Sequence, residues 1–297
     1  DGIDKYIFVG DILFVGDMAR PDLLGKENIN DLAEKSYQTA MKLYNLDNDL
    51  MTFTSHIKGS FCGKNLKTQY FSTIGIEKKT NYSFMLSKKG KKEYINNLIN
   101  QNIETPLFFH KMTSINIEGP KLLNSLSEIR TIDEEEFFDS DFNNSYIIDL
   151  RHPNYFRCGH IKNSINIYEE SNVSLISGNL LEHNKNIYLI GDDKSSFNKF
   201  VTKLRRVGFD NIEGILDFNI NNLPSLKEVK QLQSDNFVTI NLNTHNQILN
   251  AINIEISDVT SLILDLNKMY KVTCKNGYKS MSVVSFLLLN NKNVYVL

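Results

Sequence analysis

Two hydrophobic rhythms alternate along the chain. Residues 2–16, "GIDKYIFVGDILFVG", carry compact apolar runs broken at Gly10 and Gly16, which predicts β-structure. Leu32, Tyr37, Met41 and Tyr44 recur at helical spacing, and Asp31 with Glu34 has capping-box spacing, so a helix is predicted over about 31–44. A polar loop with glycine and serine, "TSHIKGSFCGKN", follows. Tyr94, Ile95, Leu98 and Ile99 then define one face of a second helix near 90–101. Up to about residue 120 the pattern is that of one α/β unit.

From about residue 125 the pattern repeats itself. "SINIYEES" at 164–171 returns as "AINIEISD" at 251–258, and "VGFDNIEGI" at 207–215 as "NNKNVYVL" at 290–297. In each copy an apolar strand, Ile187–Ile190 or Met269–Thr273, runs into a short polar loop, a helix and another strand. Such alternation predicts two tandem α/β modules with mainly parallel sheets, the second incomplete. The expected division is 1–120, 125–222 and 230–297.

Composition narrows the classes. The chain has 297 residues, 41% hydrophobic and 23% charged, with net charge -2. No basic footprint for nucleic acid is present, and no apolar run reaches the ~18 residues of a membrane span. Three widely spaced cysteines argue against a disulfide framework and for a reducing, cytoplasmic compartment. The chain opens on Asp1 and stops at "NKNVYVL", in what reads as the middle of a strand, so a fragment is expected. The charge runs "EKK" at 77–79, "KKGKKE" at 88–93 and "DEEEFFDSD" at 133–141 read as solvated helix starts and loops.

Candidate chemistry concentrates at "VTCKNGYKS", 272–280. Cys274 ends an apolar strand, and a helix through Val283, Val284 and Leu287 follows at once. A loop curling into a helix N-terminus aims backbone N–H groups inward and favours an anion. A thiolate there is stabilised and available as a nucleophile near neutral pH. Lys275 and Lys279 would add positive potential, Gly277 would permit the curl, and Ser280 would cap the helix. The competing reading makes Cys274 a small buried apolar residue. Cys158 is expected to serve packing, His110 to sit at the edge of a core, and Cys62 is open between the two roles.

The stretch "IIDLRHPNYFRCGHIKNSINI", 147–167, resembles rhodanese-family sulfurtransferases in its Asp-x-Arg strand end, its Gly-His-Ile turn and the following Asn-Ile. "CKNGYKS" resembles that family's active-site loop, formed here by Cys274, Lys275, Asn276, Gly277, Tyr278, Lys279 and Ser280. The first module has Gly191 nearest the cysteine position, which implies a catalytically silent module. The second keeps its cysteine but has Asn241 and Asn243 in place of the family's Asp and Arg, and Lys279 in place of arginine.

"FVGDILFVGDMARPDLLG" resembles the Gly-Asp-x-Leu-Phe segment of metallo-β-lactamase-fold proteins. By chemistry alone Asp11 there reads as a turn residue. With "SFCGKN", "STIGIEKKTN" and "INIEGP", the chain looks like the persulfide dioxygenases fused to rhodanese modules. The resemblance implies the C-terminal part of an αββα fold and an iron(II) site of two histidines and one aspartate. Asp11 matches the aspartate, and the two histidine ligands would lie before Asp1. His56 matches a late histidine of the fold, usually outside the iron's first shell. Such an enzyme oxidises a low-molecular-weight thiol persulfide to sulfite with dioxygen, and Cys274 would pass sulfane sulfur to an acceptor such as sulfite. The expected partners are these small molecules, with neither nucleic acid nor membrane, and a homo-oligomer is compatible with all of this. The rival enzymatic reading is a thioester hydrolase of the same fold with zinc, Asp11 bridging and His56 a ligand. The non-enzymatic rival makes the rhodanese-like modules binding or persulfide-sensing domains.

Overall fold

A computed structural model describes residues 5–24, 28–100, 105–191, 194–216, 229, 236–243, 246–290 and 294–296. The chain divides into two compact units, Asp1–Thr105 and Pro106–Leu297. The expected module boundary at 222–230 lies outside the described residues, Val229 excepted, as do Asp192, Asp193 and residues 291–293 of the repeat.

In the first unit, β1 (Tyr6–Gly10) leads into the small hairpin β2 (Leu13–Phe14) and β3 (Asp17–Met18). Helix α1 (Ile29–Tyr44) precedes β4 (Met51–Thr54), and β5 (Phe71–Thr73) runs straight into α2 (Ile74–Thr80). Helices α3 (Tyr82–Ser87) and α4 (Lys91–Ile99) follow. The main sheet has the order β1-β4-β5, with β1 and β4 parallel and β5 antiparallel. Because strand side chains alternate between faces, Val9, Thr52 and Ser72 are buried while Tyr6, Phe8 and Phe71 are exposed. On that outer face Phe53 stacks on Phe8 at 5.3 Å and lies 6.1 Å from both Tyr6 and Phe71. The core gathers Leu13, Met18, Ala33, Ile74, Phe84, Tyr94 and Leu98.

Two local expectations change here. Helix α1 begins one turn early, with Asn28 at its N-cap, so Asp31 and Glu34 form no capping box. Asp31 lies inside the first turn and pairs with Lys35, while Glu34 pairs with Lys91. Glu77 of "EKK" is not solvated. It is buried, and its Oε2 accepts from the Gly16 N–H at 2.9 Å and Asn81 Nδ2 at 2.8 Å. Gly16 itself turns between β2 and β3 at φ +93°, and a Cβ there would lie 2.8 Å from the Asn65 carbonyl oxygen. Gly16→Ala should therefore destabilise the first unit by about 2 kcal/mol, from a strained φ plus a backbone clash. Urea unfolding with the same m-value and a lower midpoint would check it.

The second unit starts with α5 (Phe108–Glu118), β6 (Arg130–Ile132) and α6 (Glu134–Asp139). Asp133 caps α6 by accepting the Glu136 N–H, so this acidic run is a helix start as expected. Then come β7 (Ser145–Asp149), α7 (Pro153–Cys158), β8 (Ile165–Asn166), α8 (Val173–Leu180), β9 (Asn186–Ile190), α9 (Lys194–Arg205) and β10 (Ile212–Leu216). They form a five-stranded, all-parallel sheet of order β6-β10-β9-β7-β8. The next segment supplies β11 (Val238–Asn241), β12 (Ile252–Asn253), β13 (Tyr270–Thr273), α10 (Tyr278–Leu289) and β14 (Val294–Val296). Its sheet, β12-β11-β13-β14, is parallel throughout.

The two sheets repeat strand for strand, β8-β7-β9-β10 against β12-β11-β13-β14. The duplicated Ile-Asn pair is β8 in one and β12 in the other, set in the same register beside β7 and β11 respectively. One hydrophobic core runs through both modules, from Ile148, Phe156 and Leu189 to Ile240, Val272 and Val283. Helix α10 covers the free edge of β8, where Ser285 Oγ accepts the buried Asn166 N–H at 3.0 Å. Among the described residues no helix is long and apolar enough to cross a membrane.

Candidate functional site

Parallel strand ends build the site in the second unit. Asp149 and Asn241 occupy equivalent ends of β7 and β11, pairing with Ile190 and Thr273. The next residues are therefore Gly191 in the first module and Cys274 in the second, as sequence resemblance alone had aligned them. A Cβ on Gly191 would meet Leu150 Cβ at 3.3 Å, a tight fit but not a blocked one.

Cys274 is half-buried against the core. Its Sγ accepts the Ser280 N–H at 3.3 Å and lies 3.5 Å from Ser280 Oγ and 3.9 Å from Asn276 Oδ1. The Tyr278 N–H goes to Asn276 Oδ1 at 3.4 Å, so among the described contacts Ser280 alone aims a backbone N–H at the sulfur. Gly277 sits at φ +81° with open space around its Cβ position, so glycine is needed there for its backbone and not for room. Ser280 is not the helix cap. Gly277 holds that place, and the Ser280 hydroxyl donates back to the Gly277 carbonyl at 2.9 Å. Lys275 is exposed, and Lys279 Nζ donates to the Leu242 carbonyl at 3.3 Å.

The strand-end residues show what the change from Asp-x-Arg to Asn-x-Asn preserves. In the first module Asp149 Oδ1 accepts the Arg151 N–H at 3.0 Å, and the two side chains form a buried fork, with Arg151 Nη2 2.8 Å from Asp149 Oδ2. Arg151 also donates to the Gly159 carbonyl at 2.7 Å. In the second module Asn241 Oδ1 accepts the Asn243 N–H at 3.0 Å, the same turn. Its amide then donates to the carbonyls of Asn243 and Asn246 and to Asn253 Oδ1, so neutral hydrogen bonds stand where the ion pair was.

Rings from both modules meet beside this loop. Tyr278 lies 5.0 Å from Tyr168 and 6.0 Å from His152, and His152 lies 5.1 Å from Tyr168, all edge-on. Removal from solvent, then Glu170 beside it, push the Tyr168 phenol up to about 12, so it stays a neutral donor at physiological pH. Sequence reasoning missed this cluster, because Tyr278 lies more than a hundred residues along the chain from His152 and Tyr168.

His160, in the Gly-His-Ile turn, is buried, stacked on Phe156 at 4.1 Å, with Nδ1 3.0 Å from the Phe156 carbonyl. Burial, with Arg151 nearby, holds it below the usual imidazole range. His183, stacked on Phe209, is lowered for the same first reason. The unfolded chain binds protons at these rings before the folded one does, so stability falls as pH drops through about 6.5. Each ring contributes a slope of up to about 1.4 kcal/mol per pH unit. Urea titrations between pH 7.5 and 5.5 should show the loss, and His160→Asn should remove about half of it.

Cys158 is exposed, so it does not serve core packing, and His110 is exposed on α5 and not at a core edge.

In the first unit Asp11 and His56 come together because β1 and β4 run parallel, with Gly10 opposite Thr54. His56 Nε2 is 3.3 Å from Asp11 Oδ1, and Ser55 Oγ donates to the same carboxylate. Cys62 is half-buried in the following loop, its carbonyl accepting from the Arg20 N–H at 3.1 Å. Arg20 is buried, pairs with Asp22 and reaches the Phe61 carbonyl, which explains the Ala-Arg-Pro-Asp stretch as a loop anchor. Among the described residues no group of three His, Cys, Asp or Glu side chains could hold an ion. Asp11 and His56 offer one oxygen and one nitrogen, short of the three-ligand set that an open iron site needs.

The profile of the Rhodanese-like domain matches residues 134–221. The first repeat is a rhodanese-like domain. The metallo-beta-lactamase structure from Staphylococcus aureus subsp. aureus COL is 29% identical, covers 71% of this chain and superposes with a TM-score of 0.58. The first unit is accordingly metallo-β-lactamase-like, and the chain spans 57% of that structure's length. The Alr3790 protein from Anabaena sp. is 24% identical over 25% of this chain and 58% of its own, with a TM-score of 0.22. Wild-type EanB is 12% identical over 57% of this chain and 58% of its own, with a TM-score of 0.31. A comparison with curated proteins gave no match. The rhodanese-like domain contains Gly191 and the Asp149–Arg151 pair, while Cys274 belongs to its structural repeat.

Proposed function

We propose that this is a cytoplasmic sulfur-handling protein of the persulfide dioxygenase–sulfurtransferase kind, in which Cys274 is the sulfur carrier. One observation carries the reading: the Cys274 sulfur lies at the N-terminal end of the twelve-residue helix α10, with the Ser280 N–H on it. That geometry stabilises negative charge on sulfur both before and after loading. The Cys274 thiolate attacks the terminal sulfur of a thiol persulfide, R–S–SH. The S–S bond breaks, R–S⁻ leaves, and Cys274 becomes a persulfide that keeps the proton or sheds it to solvent. The sulfite lone pair then takes the outer sulfur from the deprotonated persulfide, giving thiosulfate and restoring the thiolate. This reading assigns to the metallo-β-lactamase-like unit the oxygen-dependent oxidation of thiol persulfide to sulfite, where Asp11 would supply one ligand of an iron(II) whose full set is not found among the described residues.

Exposing the complete protein to a thiol persulfide and locating added sulfur by peptide mass spectrometry tests the carrier. One extra sulfur on Cys274 and none on Cys158 is the expected result. An unmodified Cys274 would leave the second module a binding or sensing surface. The 3.3 Å approach of His56 to Asp11 favours a second reading of the first unit, as a zinc hydrolase with His56 as a ligand. Metal analysis with an oxygen electrode separates the two. Zinc with no oxygen consumption would sink the dioxygenase reading.

A further inference from the structure

The first unit holds a polar cleft that the chemistry above does not use. Glu93, Asn96, Asn97 and Asn100 line it, at the i, i+3, i+4 and i+7 positions that share one face of α4 and its C-cap. Tyr94 and Leu98 bury another face of the same helix, which fixes the direction of the polar stripe. Tyr82, the first residue of α3, and Lys64 with Asn65 in the loop after Cys62 line the rest of a space of about 700 Å³. Most of its amides are held before any ligand arrives. Asn65 donates twice to the buried Asp17 carboxylate, through its backbone N–H at 3.0 Å and its Nδ2 at 3.1 Å. The Tyr82 hydroxyl donates to Asn97 Oδ1 at 3.0 Å, and Asn100 Nδ2 donates to the Asn96 carbonyl at 2.7 Å. Charge in the cleft is balanced. Lys64 and Glu93 bring one of each sign, and Glu93 pairs with Lys89 at 3.3 Å.

We propose that this cleft binds a neutral sugar, a function separate from sulfur transfer. Its volume is that of a small-molecule site. An amide offers two donor hydrogens and an oxygen with two lone pairs, so Asn65 and Asn100 have capacity beyond the bonds above. A sugar hydroxyl, which both donates and accepts, matches such groups in either sense. The half-buried Tyr82 ring is the one aromatic surface of the lining, against which the C–H face of a pyranose packs. Other ligand classes fit worse. An apolar ligand would cover the amides without bonding them, at a loss of affinity. An anion would meet a single lining cation, Lys64, beside the C-terminal end of α4, whose partial negative charge opposes it. A cation would find Glu93 already paired with Lys89. Because the anchored amides need little further ordering, binding costs less side-chain entropy than on an ordinary solvated helix face.

The test is saturation-transfer NMR on the complete protein with the methyl glycosides of glucose, galactose and N-acetylglucosamine, and with diglycine and inorganic phosphate beside them. At least one glycoside should bind saturably, with a Kd of about 1 mM, and phosphate should not. Asn96 and Asn100 are exposed and alanine favours a helix, so Asn96→Ala with Asn100→Ala should melt like the natural protein. The double variant should weaken the glycoside by about tenfold or more. Sugar binding here does not depend on Cys274, so Cys274→Ser should leave it unchanged. No saturable signal from any glycoside would overturn the proposal. So would a glycoside signal that the double variant leaves intact, since the sugar would then lie elsewhere. Binding of diglycine or phosphate in place of the glycosides would give the cleft to a peptide or an anion and overturn it as well. None of these outcomes bears on Cys274 as sulfur carrier.

Discussion

Replacing Cys274 by serine should lower sulfur transfer from a thiol persulfide to sulfite by at least about 10³-fold. The hydroxyl has nearly the size of the thiol, so the Ser280 N–H keeps a partner and the fold is not disturbed. What is lost is a nucleophile soft enough to attack sulfur. Thiosulfate formation in the complete protein is the measurement. Cys158→Ser serves as the matched control, because Cys158 is exposed on α7 and has no place at the loop. A variant at Cys274 that transfers sulfur at the natural rate would move the module to the sensing class.

Arg151→Ala should cost the second unit about 3–5 kcal/mol. The alanine leaves the Asp149 carboxylate, which has no solvent exposure, buried without its guanidinium, and frees the Gly159 carbonyl as well. A drop in melting temperature of about 6–20 °C follows for a unit of this size. The second module points to the compensating change. Asp149→Asn combined with Arg151→Asn copies Asn241 and Asn243, keeps the side-chain-to-backbone turn and removes the unpaired charge. The double variant should recover part of the loss. If Arg151→Ala alone melts like the natural protein, the pair does not hold the turn. Both variants leave the Cys274 loop chemically untouched, so thermal melts and sulfur transfer can be read separately.

Local pattern carried far in this chain, and its failures share a cause. The strands ending at Ile190 and Thr273 and the repeated Ile-Asn pair were visible as runs and echoes, because a buried parallel strand is a continuous apolar stretch. Asp31 and Glu34 misled at the start of α1, where the spacing of a capping box is present but the turn belongs to Asn28. Glu77 misled in the opposite sense. A charged residue between polar neighbours looks solvated, yet it lies against the Gly16 turn. Ser280 looks like the helix cap from its place in the loop, but Gly277 holds that position and the Ser280 hydroxyl donates back to the Gly277 carbonyl.

Resemblance to a known family pointed to the metallo-β-lactamase-like opening segment, and by itself the sequence determined the duplicated parallel α/β modules and the position of the cysteine in its loop. Each is written in contiguous residues, where side-chain periodicity and backbone preference act over a few positions. Only the tertiary structure decided that Asp11 meets His56, that Asn241 repeats the turn of Asp149 without its charge, and that His152 and Tyr168 reach Tyr278. Those outcomes depend on the register of parallel strands and on which sheet edge a helix covers. Both are set by packing between segments far apart in the chain, and no local pattern encodes them.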